Sequence, residues 1–467
     1  FVAFRLPNTF RRLFSEGTFN AAFIPSYTAE KIENKKNGKR FADEVISLLI
    51  LILFFIVLIV EIFTPYLVFL IAPGFLENTQ KFDLAVELTR ITFPFLFFVS
   101  LSSFFSGILN SNNKFAAAAA APIILNIVLI LSLMISYFAG LNFAKQLSYS
   151  VTLSGIIQLF FLIYFTKKYY KPSFEFKIKI SGKVKLFFKK LLPSIFSSGV
   201  TQINILVGTI IASFQTGAVS YLYYADRIYQ INLALAGIAV GTVSLPVLSK
   251  AFKQKNISKI ANIQNRSIEL SLLLSIPASL GLIIASEQIV NALFGYGSFT
   301  LENIKMTASA LKFFGYGVPA FALIKILSNF FFARNNTTTP FYISTFVVLL
   351  NISLSVSFFN KLGFIIIPIA TSISTWVGVI IYAYLLNTKN FLLLKNYLPI
   401  SIIKIVLSTI LMSFLLIVAI HHYAHYLDYA YKYKSVYLII IVGFVAIIYL
   451  ISCYLTGLLK KKNFRTT

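Results

Sequence analysis

Val45–Ile62, Ile123–Tyr137, Ile400–Ile420 and Val436–Leu455 are runs of almost unbroken apolar residues. They are near or above the roughly 20 residues needed to cross a hydrocarbon core of about 30 Å. Within that core water cannot satisfy backbone N–H and C=O groups, so each run must be a helix, which satisfies them within itself. The rest of the composition agrees. The 467 residues are 58% hydrophobic and 12% charged, against roughly 45–50% and 25% in a soluble domain, and the mean hydropathy is +0.83. The formal charge of +26 is not a nucleic-acid footprint, because the Lys and Arg residues sit mainly in short loops between apolar runs. No nucleic-acid partner is expected.

Thirteen spans are expected, near 1–29, 43–71, 83–110, 116–139, 146–166, 186–214, 217–248, 266–293, 305–333, 341–359, 363–386, 398–421 and 436–459. Cytoplasmic loops should carry the excess of Lys and Arg. The strongly basic loops at Glu30–Phe41 (with Lys35, Lys36, Lys39 and Arg40), Lys167–Lys190 and Ser249–Asn265, and the tail Lys460–Arg465, all fall on one side of this partition. The loops at Ala72–Phe82, Gly295–Asn303 and His421–Lys434 fall on the other. The C-terminus is therefore expected in the cytoplasm and residue 1 toward the outside. The chain does not start with Met, and residue 1 falls inside a pattern already under way. A truncated N-terminus without a signal peptide is the expectation.

Sliding the chain against itself by about 225 positions brings polar landmarks into register. Leu76-Glu77-Asn78 falls on Leu301-Glu302-Asn303, Pro94 on Pro319, Asn110 on Asn335, Leu125-Asn126-Ile127 on Leu350-Asn351-Ile352, and Ser132 on Ser357. Six spans separate equivalent positions, and an even number preserves orientation. Two parallel lobes follow, as in several transporter folds. The expected divisions are an N-terminal lobe at 1–166, a C-terminal lobe at 186–386 and a two-span appendix at 398–459. Span 186–214 finds no counterpart in the first lobe. Either one span precedes residue 1, or that lobe has only five.

Ionisable groups inside spans cost about 2.5–3.5 kcal/mol each on insertion scales and usually face a cavity. At about 100° per residue, Arg5, Asn8, Arg12 and Glu16 share one stripe of the first span, with Arg11 toward its flank. Pro7 disrupts the helix beside that stripe, and Gly17 permits close approach. An arginine fork binds phosphate or carboxylate oxygens in pairs and keeps its proton. The plainer alternative is that Arg12 and Glu16, at i and i+4, neutralise each other. Span 217–248 carries Asp226 and Arg227, with Tyr223, Arg227 and Gln230 on one face. Neighbouring residues diverge by about 100° on a helix, so the pair is expected to find partners on other helices. Lys325, deep in its span, is a further candidate cavity cation, while Lys312, nearer an end, has the reach to snorkel.

Little else points to chemistry. Cys453 is the sole cysteine, so neither an internal disulfide nor a multi-thiolate metal site is available. His421, His422 and His425 lie among tyrosines at an expected interface, a setting that favours boundary residues over a metal cluster. No phosphate-cradling loop, nucleophile–base set or carboxylate pair stands out, and neither a cofactor nor an enzymatic activity is expected.

Leu6-Pro7-Asn8, Arg11-Arg12-Leu13-Phe14 and Glu16-Gly17, continuing through Phe19, Ala22-Phe23 and Pro25, resemble the signature of the MurJ (MviN) family of lipid II flippases, within the MOP exporter superfamily. Ala72-Pro73-Gly74-Phe75, Thr92-Phe93-Pro94, Gly107-Ile108-Leu109-Asn110, Tyr223-Tyr224-Ala225-Asp226-Arg227, Leu245-Pro246 and Tyr296-Gly297 extend the likeness over nearly the whole chain. The resemblance implies fourteen spans, two six-helix lobes around a central cavity plus two C-terminal helices, with the first helix preceding Phe1. It also implies an inner-membrane exporter of undecaprenyl-diphosphate-linked disaccharide-pentapeptide for peptidoglycan synthesis. By motif the family's functional arginines fall on Arg11, Arg12 and Arg227, and Glu16 matches as well. Arg5 and Lys325 resemble basic positions of the family. The chain departs after Arg334, where Asn335-Asn336-Thr337-Thr338-Thr339-Pro340 replaces a stretch that often carries an Asp and a Lys.

The expected substrate-binding set is thus Arg5, Asn8, Arg11, Arg12, Glu16, Asp226, Arg227 and Lys325, working by alternating access of the two lobes. The expected partners are lipid II, membrane lipids and cell-wall synthesis proteins. Two rivals make different demands: a flippase for another polyprenyl-diphosphate oligosaccharide needs the same arginines, whereas a non-transporting cell-wall scaffold tolerates their loss.

Overall fold

The computed structural model describes residues 1–15, 18–173 and 180–459. It is all-α among those residues, and it divides into two compact units, Phe1–Phe214 and Gln215–Thr467. In the first unit the helices are α1 (Val2–Ser15), α2 (Thr18–Glu33), α3 (Lys35–Ile62), α4 (Thr64–Ile71), α5 (Thr79–Thr92), α6 (Phe95–Ser111), α7 (Phe115–Ala139), α8 (Phe143–Thr166) and α9 (Gly182–Ser213). Asn34, Asn78, Asn142 and Ser181 cap α3, α5, α8 and α9 through their side-chain oxygens, each satisfying an orphan N–H of a first turn. Phe23, fully buried, is the centre of an aromatic core. Its ring lies 5.0 Å from Phe104 of α6, 6.1 Å from Phe41 of α3 and 6.2 Å from Phe187 of α9. Gly107 allows that approach, because a Cβ there would sit 2.7 Å from both Asn20 Oδ1 and Phe23 Cδ1.

The second unit holds α10 (Ala218–Leu233), a π-helical segment Ala234–Ala239, α11 (Val240–Lys253), α12 (Ile257–Ile284), α13 (Ser286–Phe294), α14 (Leu301–Phe332), α15 (Thr338–Leu362), α16 (Ile366–Thr388), α17 (Tyr397–His422) and α18 (Lys434–Leu455). Among the described residues ten helical segments are long and apolar enough to cross a membrane. One of these, Thr338–Thr388, is the α15–α16 hairpin. The two expected spans outside this set are α1–α2, whose helices are 14 and 16 residues long, and α9.

Two expectations need correction. The basic stretches Glu30–Phe41 and Ser249–Asn265 are not loops: only Asn34 separates α2 from α3, and α12 begins at Ile257. Hydropathy marks where a helix leaves the hydrocarbon, and capped helices continue past that point into water. The repeat register also shifts. α3 and α12 start and end 222 residues apart, α4 and α13 start 222 apart, and α7 and α15 start and end 223 apart. The cap of α5, Asn78, thus corresponds to Thr300, the cap of α14. Left-handed Asn113 corresponds to left-handed Asn335. Buried Ser132 pairs with buried Ser355, since Ser357 is exposed. The 225 register was set by a Leu-Glu-Asn coincidence that falls on different local structures. α9 contacts α1, α2 and α4, so the contact boundary falls after it, whereas the repeat boundary falls before it.

Pro7, Pro277 and Pro319 inside α1, α12 and α14, and Pro94 at the α5–α6 break, create a common problem. Proline has no N–H for the carbonyl four residues back, and within a bilayer water cannot take its place. Pro7 releases the Ala3 carbonyl, which accepts from Thr92 Oγ1 at 2.8 Å. Pro277 releases Leu273, which accepts from Tyr449 Oη at 2.7 Å. Pro319 releases Gly315, which accepts from Ser279 Oγ at 2.8 Å. At the α5–α6 break beside Pro94, the Ile91 carbonyl accepts from Thr152 Oγ1 at 2.5 Å. Each bend is held by a hydroxyl from a different helix. Tyr449→Phe should therefore lower stability by about 0.6 kcal/mol, the average measured for such bonds in membranes, and by no more than about 1.7 kcal/mol. Most of that loss should vanish in a Pro277→Ala background, where Leu273 regains a backbone donor. Unfolding of the four variants in detergent measures this, and an equal loss in both backgrounds rules the compensation out.

Candidate functional site

In the first unit the candidates lie on α1. Pro7 and Asn8 are buried and Arg5, Arg11 and Arg12 are partly buried, so this charged helix is not a solvated surface. The Thr92 bond to Ala3 anchors its kink against the end of α5. Arg5 Nε donates to Thr209 Oγ1 of α9 at 3.0 Å, while that hydroxyl donates to the Ile205 carbonyl at 2.9 Å. Thr209 thus commits its hydrogen to the helix backbone, accepts the guanidinium with a lone pair and fixes its direction. Arg11 Nε donates to Asn8 Oδ1 at 3.1 Å, which draws Arg11 from the flank toward the polar stripe. Glu16 lies outside the described residues.

In the second unit Arg227 is exposed, donates from Nη2 to Tyr223 Oη at 2.6 Å and stands 4.7 Å from the centre of the Tyr223 ring. Asp226 accepts from Gln230 Nε2. Both of these contacts run within α10, one turn away. Residues at i and i+4 face each other on a helix, and tyrosine and glutamine fill those positions. Lys325 is exposed on α14, and its ammonium has no hydrogen-bond partner among the described residues. One turn on, Asn329 Nδ2 donates to the Gly241 carbonyl of α11 at 2.8 Å, and this bond holds α14 against the end of the π-helical segment. A π-helical turn interrupts a regular helix and is frequent at functional sites.

The corrected register adds a relation that the sequence comparison missed. At an offset of 222, Arg227 corresponds to Arg5, and the start of the π-helical segment corresponds to the last turn of α1. At 225 Arg227 had fallen on Val2. The two halves therefore carry an arginine at the same place in the same element, with a helix interruption following it in the second half.

Two further clusters have no counterpart among the expected residues. Lys434, 1% exposed at the start of α18, donates to the carbonyls of Gly295 (2.6 Å) and Tyr429 (2.7 Å) and lies over the rings of Tyr296 and Tyr429. Arg334 donates to the carbonyls of Phe330 and Phe391 and packs 4.1 Å from the ring centres of Phe252 and Phe391. Gln264 and Asn265, both fully buried, bind the backbone of Phe391, Leu393 and Lys395. These are structural clamps, and only the caged geometry distinguishes Lys434 from an ordinary interfacial lysine. His422 and His425 pack against Tyr423 and Tyr426, in keeping with boundary residues.

A chain that is all-α among its described residues, with ten apolar segments long enough to cross a membrane and with charged residues on kinked helices, is a polytopic membrane protein. The fold is shared with an inward-facing multidrug resistance MATE family transporter of the MOP superfamily, at a TM-score of 0.67 and 15% identity, over 84% of this chain and 90% of that one. The chain belongs to the MurJ family: the family described as lipid II flippase MurJ matches residues 1–438. A probable lipid II flippase MurJ of Rickettsia prowazekii is 39% identical over 91% of this chain and 84% of its own length. One of Rhizobium tropici is 41% identical over 81% and 72%. A solved lipid II flippase MurJ in an inward closed conformation superposes with a TM-score of 0.81 at 28% identity, over 97% of this chain and 91% of that one.

The Arg5–Thr209 bond makes a measurable claim. A double-mutant cycle of Arg5→Ala and Thr209→Val, followed by unfolding in detergent, should give a coupling of about 0.6–1.7 kcal/mol. Additive effects would mean that Thr209 does not hold the guanidinium.

Proposed function

We infer that this chain moves lipid II, an undecaprenyl-diphosphate-linked disaccharide-pentapeptide, from the inner to the outer leaflet of the bacterial inner membrane. The activity is transport and makes no covalent change in its cargo. The observation that carries the reading is the set of oriented guanidinium groups on α1 and α10 of a MurJ-family chain. The contacts described above use a threonine hydroxyl for Arg5, an asparagine amide for Arg11 and a tyrosine hydroxyl for Arg227. These acceptors give each guanidinium a defined direction.

Such a group suits a diphosphate. Burying that anion without charge partners is prohibitive, and a planar fork of donors meets phosphate oxygens in pairs. Arg5, Arg11, Arg12 and Arg227 receive the diphosphate in this reading, and Lys325 adds a mobile point charge. Asn8 and Asp226 position neighbouring donors, and Glu16 acts with Arg12 on the same stripe. The lobes, at 1–166 and 186–386, rock to open a central cavity first to one side and then to the other. The pair 398–459 lies beside the second lobe and leaves the prenyl tail a lipid-facing path. The concentration of Lys35, Lys36, Lys39, Arg40, Lys250, Lys253, Lys255 and Lys259 around two helix junctions supports a cytoplasmic C-terminus by the positive-inside rule. Those same basic ends are the surface on which cell-wall synthesis proteins would dock.

Complementation tests this directly. The full-length gene should restore growth and lipid II translocation in cells depleted of their own flippase. Arg12→Ala and Arg227→Ala should each lower translocation at least tenfold at equal membrane abundance. Failure of the parent gene despite good insertion would overturn the substrate assignment, and normal activity of both variants would overturn the role of the arginines.

A further inference from the structure

One groove of the first unit plays no part in the reading above. It has a volume of 440 Å³ and lies between α5 and α8, with Arg90, Pro94, Gln146, Tyr149, Leu153 and Ile156 in its walls. The helix break at Pro94 opens it, and the Thr152 bond to the Ile91 carbonyl holds α8 beside the break. Nearby, Lys145 and Glu87 form a 2.7 Å ion pair that ties α8 to α5.

Arg90 is exposed and makes no hydrogen bond among the described residues. Glu61 of α3 is near enough to sense its charge, but no ion pair within 4.0 Å joins them. The groove is also polarised along the membrane normal. At 1.5 Å per residue, Arg90 lies about 31 Å from the far end of its span at Ser111, and Gln146 lies about 30 Å from the far end of α8 at Thr166. Both therefore sit one hydrocarbon thickness from the opposite boundary. Pro94, Leu153 and Ile156 lie one to three turns deeper. The wall turns toward lipid, since Tyr149, Leu153, Ile157, Phe160 and Tyr164 form an exposed stripe on α8.

We propose that this groove binds a phospholipid of the bilayer, with an anionic headgroup whose phosphodiester is held by Arg90. The guanidinium donates to two phosphate oxygens, Gln146 and Tyr149 hydrogen-bond the headgroup, and the first acyl methylenes lie on Leu153 and Ile156. An exposed cation above an apolar floor at the depth of the interface matches a lipid end to end. A soluble phosphate uses only the upper half. A headgroup without a positive charge also avoids repulsion by Arg90. The site does not depend on which substrate the protein transports.

The test uses the full chain in nanodiscs of equal phosphatidylglycerol and phosphatidylcholine, delipidated stepwise and weighed intact by native mass spectrometry. The parent should retain phosphatidylglycerol at least fivefold over phosphatidylcholine in its last bound lipid. Arg90→Gln should bring that ratio near one, and Lys305→Gln, at an exposed lysine of the other unit, should leave it unchanged. Leu153→Trp fills the floor of the groove and should lower retention even if Arg90→Gln proves unstable. Diazirine-labelled phosphatidylglycerol should cross-link to the peptide containing Leu153 and Ile156. No preference in the parent would mean that Arg90 only snorkels to the interface, and it would overturn the site. Equal retention by Arg90→Gln, or labelling elsewhere, would overturn it too. Displacement of the lipid by millimolar inorganic phosphate would reassign the groove to a free anion and overturn the lipid occupant.

Discussion

A backbone carbonyl released within a bilayer has to find another donor inside the protein, and much of this structure follows from that requirement. Pro7, Pro277 and Pro319 each free a carbonyl, and Thr92, Tyr449 and Ser279 each supply the missing hydrogen from a neighbouring helix. The bends are thus properties of helix pairs rather than of single helices. They can be kept in a greasy chain because a hydroxyl satisfies one carbonyl without introducing a charge. Helix α1 depends on this device most directly, since its kink places Arg5 against Thr209 and is itself fastened at Ala3.

The same economy governs the charged residues. Arg5, Arg11 and Arg227 meet hydroxyl or amide oxygens in the contacts described, whereas Lys183, at the polar end of the first unit, meets the carboxylates of Glu30 and Glu33. The pairing of Lys183 with Glu30 and Glu33 closes the polar end of the first unit, and hydroxyl and amide oxygens orient the three arginines.

Most of the fold was legible in the sequence, because span length and apolarity are direct consequences of bilayer thickness. Where helices end was not, since Lys35 and Ile257 begin helices that hydropathy assigns to loops. The repeat was visible but misplaced by three residues. Sequence identity favoured Asn78 on Asn303, whereas the structure matches Asn78 with Thr300, two different residues performing one capping task. That slip hid the correspondence of Arg5 with Arg227. On the site itself, residue types and helical stripe pointed to α1 and α10, but the partners did not follow. Thr209 is distant in sequence, and Tyr223 and Gln230 compete for Arg227 and Asp226 at close range. Lys434 was illegible, because nothing in a lysine before an apolar run announces two carbonyls and two rings around it.

That lysine changes how the final helix pair behaves mechanically. At one end of α17 the Gln264, Asn265 and Arg334 clamp holds the incoming linker, and beyond its other end Lys434 fastens the return strand of chain to Gly295. A hairpin secured at both ends has no swing of its own. Any displacement of α12 through α14 has to carry α17 and α18 along, so the appendix works as a fixed outrigger of the second unit and not as an independent flap.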